Sequence, residues 1–152
     1  MSIILTRRRG IKIIYTNSDG GARGNPGPGA VGVVVRKDGE ILTKHSEYLG
    51  SMVTNNQAEY EALIKALELA LKFGKEVTCI LDSELVVKQM LGEYKVKNKK
   101  LMELFLKAQK IQDKFDKVRY LHTRREDKFQ SMADELVNYE LDKRGFRKYY
   151  KR

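Results

Sequence analysis

Five glycines and two prolines crowd into the eleven residues Asp19-Gly-Gly-Ala-Arg-Gly-Asn-Pro-Gly-Pro-Gly29. No helix tolerates that composition, because glycine loses the most backbone freedom on folding and proline lacks an amide donor. Short apolar runs flank the stretch, Ile11 to Tyr15 before it and Val31 to Val35 after it. It reads as a tight strand-to-strand connection with one carboxylate, Asp19, at its entrance. An Asp before Gly-Gly is ordinary turn chemistry when it stands alone. Three acids further along the chain give it a second meaning.

Taken in order, Ile11 to Ser18, Val31 to Arg36 and Ile41 to Tyr48 read as strands, with Lys37-Asp-Gly-Glu40 as a hairpin turn. The polar segment Ser51 to Asn56 leads into a helix from Gln57 to Phe73, closed by Gly74. Tyr60, Leu63, Ile64, Leu67, Ala70 and Leu71 form its apolar stripe, and Glu61, Lys65, Glu68 and Lys72 its solvated face. Glu59 lies one turn before Leu63 and so points at the protein. Val77 to Leu81 is almost continuously apolar, the mark of a strand covered on both faces. Ser83 to Leu91 and Leu101 to Phe115 have helical spacing. Val118 to His122 is a short strand, Thr123 to Ser131 a charged loop, and Met132 to Leu141 a last helix.

Strand–helix–strand units force parallel pairing through right-handed crossovers. The expected architecture is α/β: a single mixed five-stranded sheet, three antiparallel strands and then parallel ones, with helices on both faces. The expected organisation is a basic leader over 1–10, one domain over 11–143, and a basic aromatic tail over 144–152. A chain of 152 residues suffices for one such domain. Thirty Lys and Arg against twenty Asp and Glu leave a formal charge of +10, which suits a polyanionic partner or a membrane surface. No apolar run approaches the roughly 20 residues of a membrane span, so no membrane partner is expected. The one cysteine, Cys79, sits in an apolar strand pattern. That fits a buried thiol and a cytoplasmic location.

In a sheet of this kind, sites form at the carboxyl ends of the strands. Asp19 is expected to end the first strand and Asp82 the parallel strand beside it. Glu59 is expected in the first turn of the crossover helix, and Asp134 in the first turn of the last. Each has a plain alternative. Glu59 could form a capping box with Asn56, Asp82 could cap the helix starting at Ser83, and Asp134 could answer a helix dipole. If all four converge, their mutual repulsion calls for a cation. Mg²⁺ is the natural choice, since it takes a few carboxylates, waters and phosphate oxygens. Four acids can hold two such ions roughly 3.5–4 Å apart, as in phosphodiester cleavage. No Cys or His cluster points to zinc.

Asp19-Gly-Gly-Ala-Arg-Gly-Asn-Pro-Gly, Thr54-Asn-Asn-Gln-Ala-Glu59-Tyr, Leu81-Asp82-Ser83 and Ala133-Asp134-Glu-Leu-Val-Asn138 resemble, in order, the motifs of type 1 ribonuclease H. The resemblance covers about Ile11 to Leu141 and implies a ribonuclease H-like fold. It implies an endonuclease that cuts the RNA strand of RNA–DNA hybrids, leaving 5′-phosphate and 3′-hydroxyl ends. Asp19, Glu59, Asp82 and Asp134 become the catalytic, metal-binding acids, with two Mg²⁺ ions or Mn²⁺ in their place. Asn25, Asn55 and Asn56 match positions that read the minor groove, where an amide can both donate to and accept from a 2′-hydroxyl. Thr54 and Asn98 match a pocket for a DNA-strand phosphate, and Gly20 and Gly21 let backbone approach the RNA. Double-stranded RNA stands as an alternative substrate, and a monomer is implied.

Three departures accompany the likeness. The basic insertion that many relatives carry before Val96-Lys-Asn98 is absent, so phosphate contacts fall to Lys95, Lys97, Lys99, Lys100, Arg7 to Arg9 and the tail. Arg125-Glu126 matches only part of a family pattern preceding the last acid, which leaves Glu126 as a candidate assisting acid and His122 behind it. Asn17-Ser18 stands where an aromatic-Thr pair is common. The competing readings are a non-cleaving hybrid-binding module of the same fold, and a DNA-cutting integrase or junction resolvase.

Overall fold

The computed structural model describes residues 13–123 and 127–146. The leader, the first two residues of the expected domain, residues 124–126 with Glu126, and the tail beyond Phe146 lie outside the described residues. Strands β1 (Ile13–Ala22), β2 (Gly27–Lys37) and β3 (Glu40–Val53) come first. Helix α1 (Asn55–Ala70), strand β4 (Glu76–Leu81) and helices α2 (Glu84–Met90) and α3 (Lys99–Gln112) follow. Strand β5 (Lys117–His122) and helix α4 (Lys128–Lys143) complete the order. The sheet runs β3-β2-β1-β4-β5, with β1–β2 and β2–β3 antiparallel and β1–β4 and β4–β5 parallel. The mixed five-stranded sheet is as the sequence predicts.

The Gly/Pro stretch is mostly strand, so the tight connection is shorter than the expected strand ends at Ser18 and Val31 imply. The β1–β2 ladder continues through Gly20↔Val31, Gly21↔Ala30 and Ala22↔Gly29, leaving residues 23–26 to turn the chain. Asp19 therefore lies inside β1, opposite Gly32, and not at its end. The glycines serve close packing more than turning. A Cβ on Gly20 would meet the Ala58 carbonyl oxygen at 2.1 Å, and one on Gly32 would meet that of Ala133 at 2.2 Å. Successive strand residues face opposite ways. Gly20 thus abuts α1 on one face, and Gly21, 3.8 Å from Val137, abuts α4 on the other. That pair of neighbours shows helices on both faces of the sheet.

The larger core lies on the α1 face. There Ile14, Val33, Val35, Leu63, Leu67, Val77 and Leu81 pack with Leu104 and Ile111 of α3. Each fully buried aliphatic side chain contributes about 1.5–3 kcal/mol. The α4 face holds a smaller cluster of Ala30, Val137 and Leu141, against which Tyr48 and Phe146 pack. Cys79 is fully buried, and burial pushes its thiol up to about 12, which suits an inert core residue.

Helix boundaries shift from the expected ones because the caps differ. Thr54 caps α1 and Gln57 returns the bond to the Thr54 amide, a capping box two residues before the expected one. Ser83, not Asp82, caps α2. Asp127 accepts from the amides of Phe129 and Gln130 and starts α4 four residues before Met132. Helix α1 closes at Leu71, short of Gly74.

Candidate active site

Those caps free the acids from the duties that could have explained them away. Glu59 takes no part in the capping box, and Asp82 is not an N-cap. Glu59 and Asp134 both fall beyond the first turns of their helices, which weakens the helix-dipole account of Asp134.

Asp19 on β1, Glu59 on α1 and Asp82 just past β4 converge, each offering a carboxylate oxygen within 4.8 Å of the others. Parallel pairing of β1 with β4 aligns Ser18 with Leu81, so the residues that follow, Asp19 and Asp82, sit side by side. The tight approach of α1 to Gly20 brings Glu59 to them, and its Oε1 accepts from the Gly20 amide at 3.1 Å. Asp134 is not in that group. It lies on α4, where the neighbouring Ala133 carbonyl packs on Gly32, the cross-strand partner of Asp19. Asn138, one turn later, donates to Asp134 Oδ2 at 3.4 Å.

Asp19 itself is buried. Two full negative charges at this spacing repel by about 3 to 4 kcal/mol at an effective dielectric of about 20. The cluster answers by holding Glu59 well above the usual carboxylate range. Burial is the main cause, followed by the charges of Asp19 and Asp82, while the Gly20 amide pulls the other way. Three hard oxygen donors crowded this closely fit a divalent cation, which would relieve the repulsion that otherwise retains a proton.

A testable pH effect follows. A carboxyl raised in the folded state adds stability only while protonated. That contribution is full below the ordinary carboxylate value of about 4.3 and disappears as pH rises through Glu59's raised value. Glu59→Gln should therefore raise the melting temperature of the metal-free protein in alkaline buffer and barely change it near pH ~4. Saturating divalent cation should reverse the alkaline order, placing wild type above the variant. Calorimetric melts in chelator and in metal check both.

The neutral residues expected to bind substrate are partly engaged in turn and cap bonds. Asn55 Oδ1 accepts from the Ala22 amide at 2.9 Å, and Asn25 Oδ1 from the Asn55 amide at 3.0 Å. The turn over 23–26 is thus bolted to the start of α1. Asn56 is exposed in the first turn of α1, and Thr54 is its cap. Asn98 caps α3, accepting from Leu101. His122 ends β5 with Nε2 3.2 Å from the Asp82 carbonyl, which places it beside the acids.

Sequence reasoning missed the supports of this site. Asn17 is fully buried, two residues before Asp19 on the same face. It donates to Gln130 Oε1 at 3.1 Å and accepts from Arg36 Nε at 3.0 Å. Gln130 Nε2 in turn donates to the Ser18 carbonyl at 2.7 Å. The Arg36 guanidinium lies over both the Tyr15 and Phe129 rings, so α4 is clasped to the strand that carries Asp19. A polar residue in place of an aromatic at position 17 was the available signal.

Comparison with known proteins agrees with this geometry. A family model described as Reverse transcriptase-like matches residues 17–140. A bifunctional protein of Mycobacterium tuberculosis is 38% identical over 131 residues, covering 85% of this chain and 35% of its own. Ribonuclease HI of Halobacterium salinarum is 40% identical over 131 residues, covering 85% of this chain and 64% of its own. The chain therefore spans less than two thirds of the length of these curated relatives. The crystal structure of ribonuclease H1 from H. salinarum superposes with a TM-score of 0.81 at 38% identity, covering 86% of this chain and 98% of that one. LC11-RNase H1, crystallised in complex with an RNA/DNA hybrid, gives a TM-score of 0.78 at 47% identity, covering 87% and 97%. With the fold, the acid cluster and near-complete coverage of these structures in agreement, the chain belongs to the type 1 ribonuclease H family.

Proposed function

We propose that the chain is a metal-dependent endoribonuclease that hydrolyses the RNA strand of RNA–DNA hybrids. The observation that carries this is the meeting of Asp19, Glu59 and Asp82 from three separate elements within 4.8 Å. Asp19, Glu59 and Asp82 would hold the cations, with Asp134 joining from α4. Two Mg²⁺ ions are the proposed cofactor, with Mn²⁺ as a substitute. When bound, such ions supply the charge that activates a water and stabilises the leaving 3′-oxygen, giving 5′-phosphate and 3′-hydroxyl ends.

The chain's own groups position the substrate. Asn25 in the turn over 23–26 and Asn55 and Asn56 in the first turn of α1 would offer their remaining amide atoms to minor-groove 2′-hydroxyls. Thr54 and Asn98 cap adjacent helices, whose amide ends favour a DNA-strand phosphate. Gly20 and Gly21 remove side-chain bulk beside Asp19. Exposed Lys95, Lys99 and Lys100 extend the positive surface in place of the missing insertion. A monomer in a cytoplasmic setting is the proposed working form. No helix among the described residues is long and apolar enough to cross a membrane.

The test uses one labelled RNA strand paired with DNA and, separately, with RNA. Cleavage of the hybrid in Mg²⁺ or Mn²⁺, abolished by chelator, is the expected result. Binding without cleavage in every metal would replace this reading with a hybrid-binding module. Cutting of a DNA duplex would replace it with a DNA nuclease, and cutting of the RNA duplex would widen the substrate range.

A further inference from the structure

Arg23 has no place in the chemistry above, yet its side chain is engaged by three partners. It lies in the short turn after β1, and its side chain is only 8% exposed. Its guanidinium donates to Asp142 Oδ1 at 2.6 Å, to the Phe146 carbonyl, and to Asn138 Oδ1 at 3.0 Å. The Asn138 amide nitrogen then donates to Asp134 Oδ2. An unbroken polar chain thus runs from the turn to the one acid that stands apart from the other three.

We propose that Arg23 is a positioning residue that acts through Asn138 to aim the Asp134 carboxylate at the metal site. This deepens the ribonuclease reading and rests on it. The amide of Asn138 has two ends. With Arg23 donating to its oxygen, its nitrogen is fixed toward Asp134; without Arg23, the amide is free to rotate. A carboxylate that helps hold a cation needs such an orienting partner, because a rotating ligand loses entropy on binding. The same turn is tied to the start of α1 by Asn25 and Asn55, so one short segment sets the spacing of both helices that carry acids. Besides the Arg23 bonds to Asp142 and Phe146, the C-terminal end of α4 is held by Phe146 stacked on Tyr48 at 5.9 Å and by Arg144 over the same ring at 4.2 Å. Loss of Arg23 therefore removes one of several anchors of α4 and releases Asn138.

Two readouts on purified protein test this. The first is calorimetric titration of Mn²⁺ in the absence of nucleic acid. The second is turnover of labelled hybrid against metal concentration at saturating hybrid. Asn138→Ala should raise the metal concentration for half-saturation by about tenfold, and Arg23→Ala by about fivefold. The Michaelis constant for hybrid should stay within about twofold, since neither side chain is assigned to the substrate. The decisive arm is a double-mutant cycle with Asp134→Asn, read by the metal titration. If Arg23 acts through Asp134, adding Arg23→Ala to Asp134→Asn produces no further weakening. Independent, additive losses would overturn the proposal, as would unchanged metal half-saturation in both single variants. Melting curves separate folding loss from metal loss, and Arg23→Lys, which keeps the charge without the forked donors, should fail to restore the titration. Failure of wild type to cleave hybrid in any metal would instead remove the ribonuclease reading itself.

Discussion

Asp82→Asn is expected to cut hybrid turnover by about a thousandfold or more, equivalent to about 4 kcal/mol, while hybrid binding survives. Asp82 shares the three-carboxylate cluster with Asp19 and Glu59. Asparagine keeps the shape of the side chain and removes the charge that would hold a cation. Under the proposed function the affinity for hybrid would rest on cations and amides that this substitution does not touch. Removing one negative charge facing a phosphate backbone should, if anything, tighten binding. Asp19→Asn should behave alike, because its side chain is buried in the same cluster. Single-turnover cleavage and electrophoretic binding in chelator give the two numbers. A variant that still cuts at a comparable rate would strip that residue of its proposed role.

The second large effect concerns backbone contact. Gly20→Ala would place a methyl group 2.1 Å from the Ala58 carbonyl oxygen and 2.7 Å from the Glu59 amide nitrogen. Neither neighbour is a side-chain tip that can swing aside, so strand β1 and helix α1 must part. Overpacking of this kind costs about 3 kcal/mol, which for a chain near this length lowers the melting temperature by roughly 6–12 °C. The same displacement pulls Glu59 from its bond to the Gly20 amide, so activity should fall further than stability alone explains. Gly21→Ala is the matched control. Its added methyl meets only Val137 at 3.8 Å, an ordinary contact, and the melt should move little. Equal melts for the two variants would show that the close approach of α1 is not what seats Glu59.

Local chemistry made much of this readable from the chain. The apolar runs Ile11 to Tyr15, Val31 to Val35 and Val77 to Leu81 separate strands from helices without any tertiary information. The stripe through Tyr60, Leu63, Ile64 and Leu67 points one face of α1 at the core, and all four are buried. Glu59 could be assigned to the protein side by its spacing alone. Boundaries were less legible, because caps compete locally. Thr54, Asn55 and Asn56 are all good cap residues, and the reciprocal bond from Gln57 goes with Thr54. Asp127 looked like one charge among many in a loop, yet it starts α4 and moves Asp134 out of the first turn.

The sequence by itself determined the order of the elements and the parallel pairing after the crossover. These follow from periodicity and from handedness, which operate over a few residues or one supersecondary unit. Tertiary structure alone decided that Asp19 lies within a strand and that glycines pack helices more than they turn the chain. It also decided that three acids bring carboxylate oxygens within 4.8 Å of one another, while Asp134 accepts from Asn138, which in turn accepts from Arg23. The reason is physical: such distances arise from backbone surfaces meeting across the sheet, between residues far apart in the chain, and no local preference encodes them.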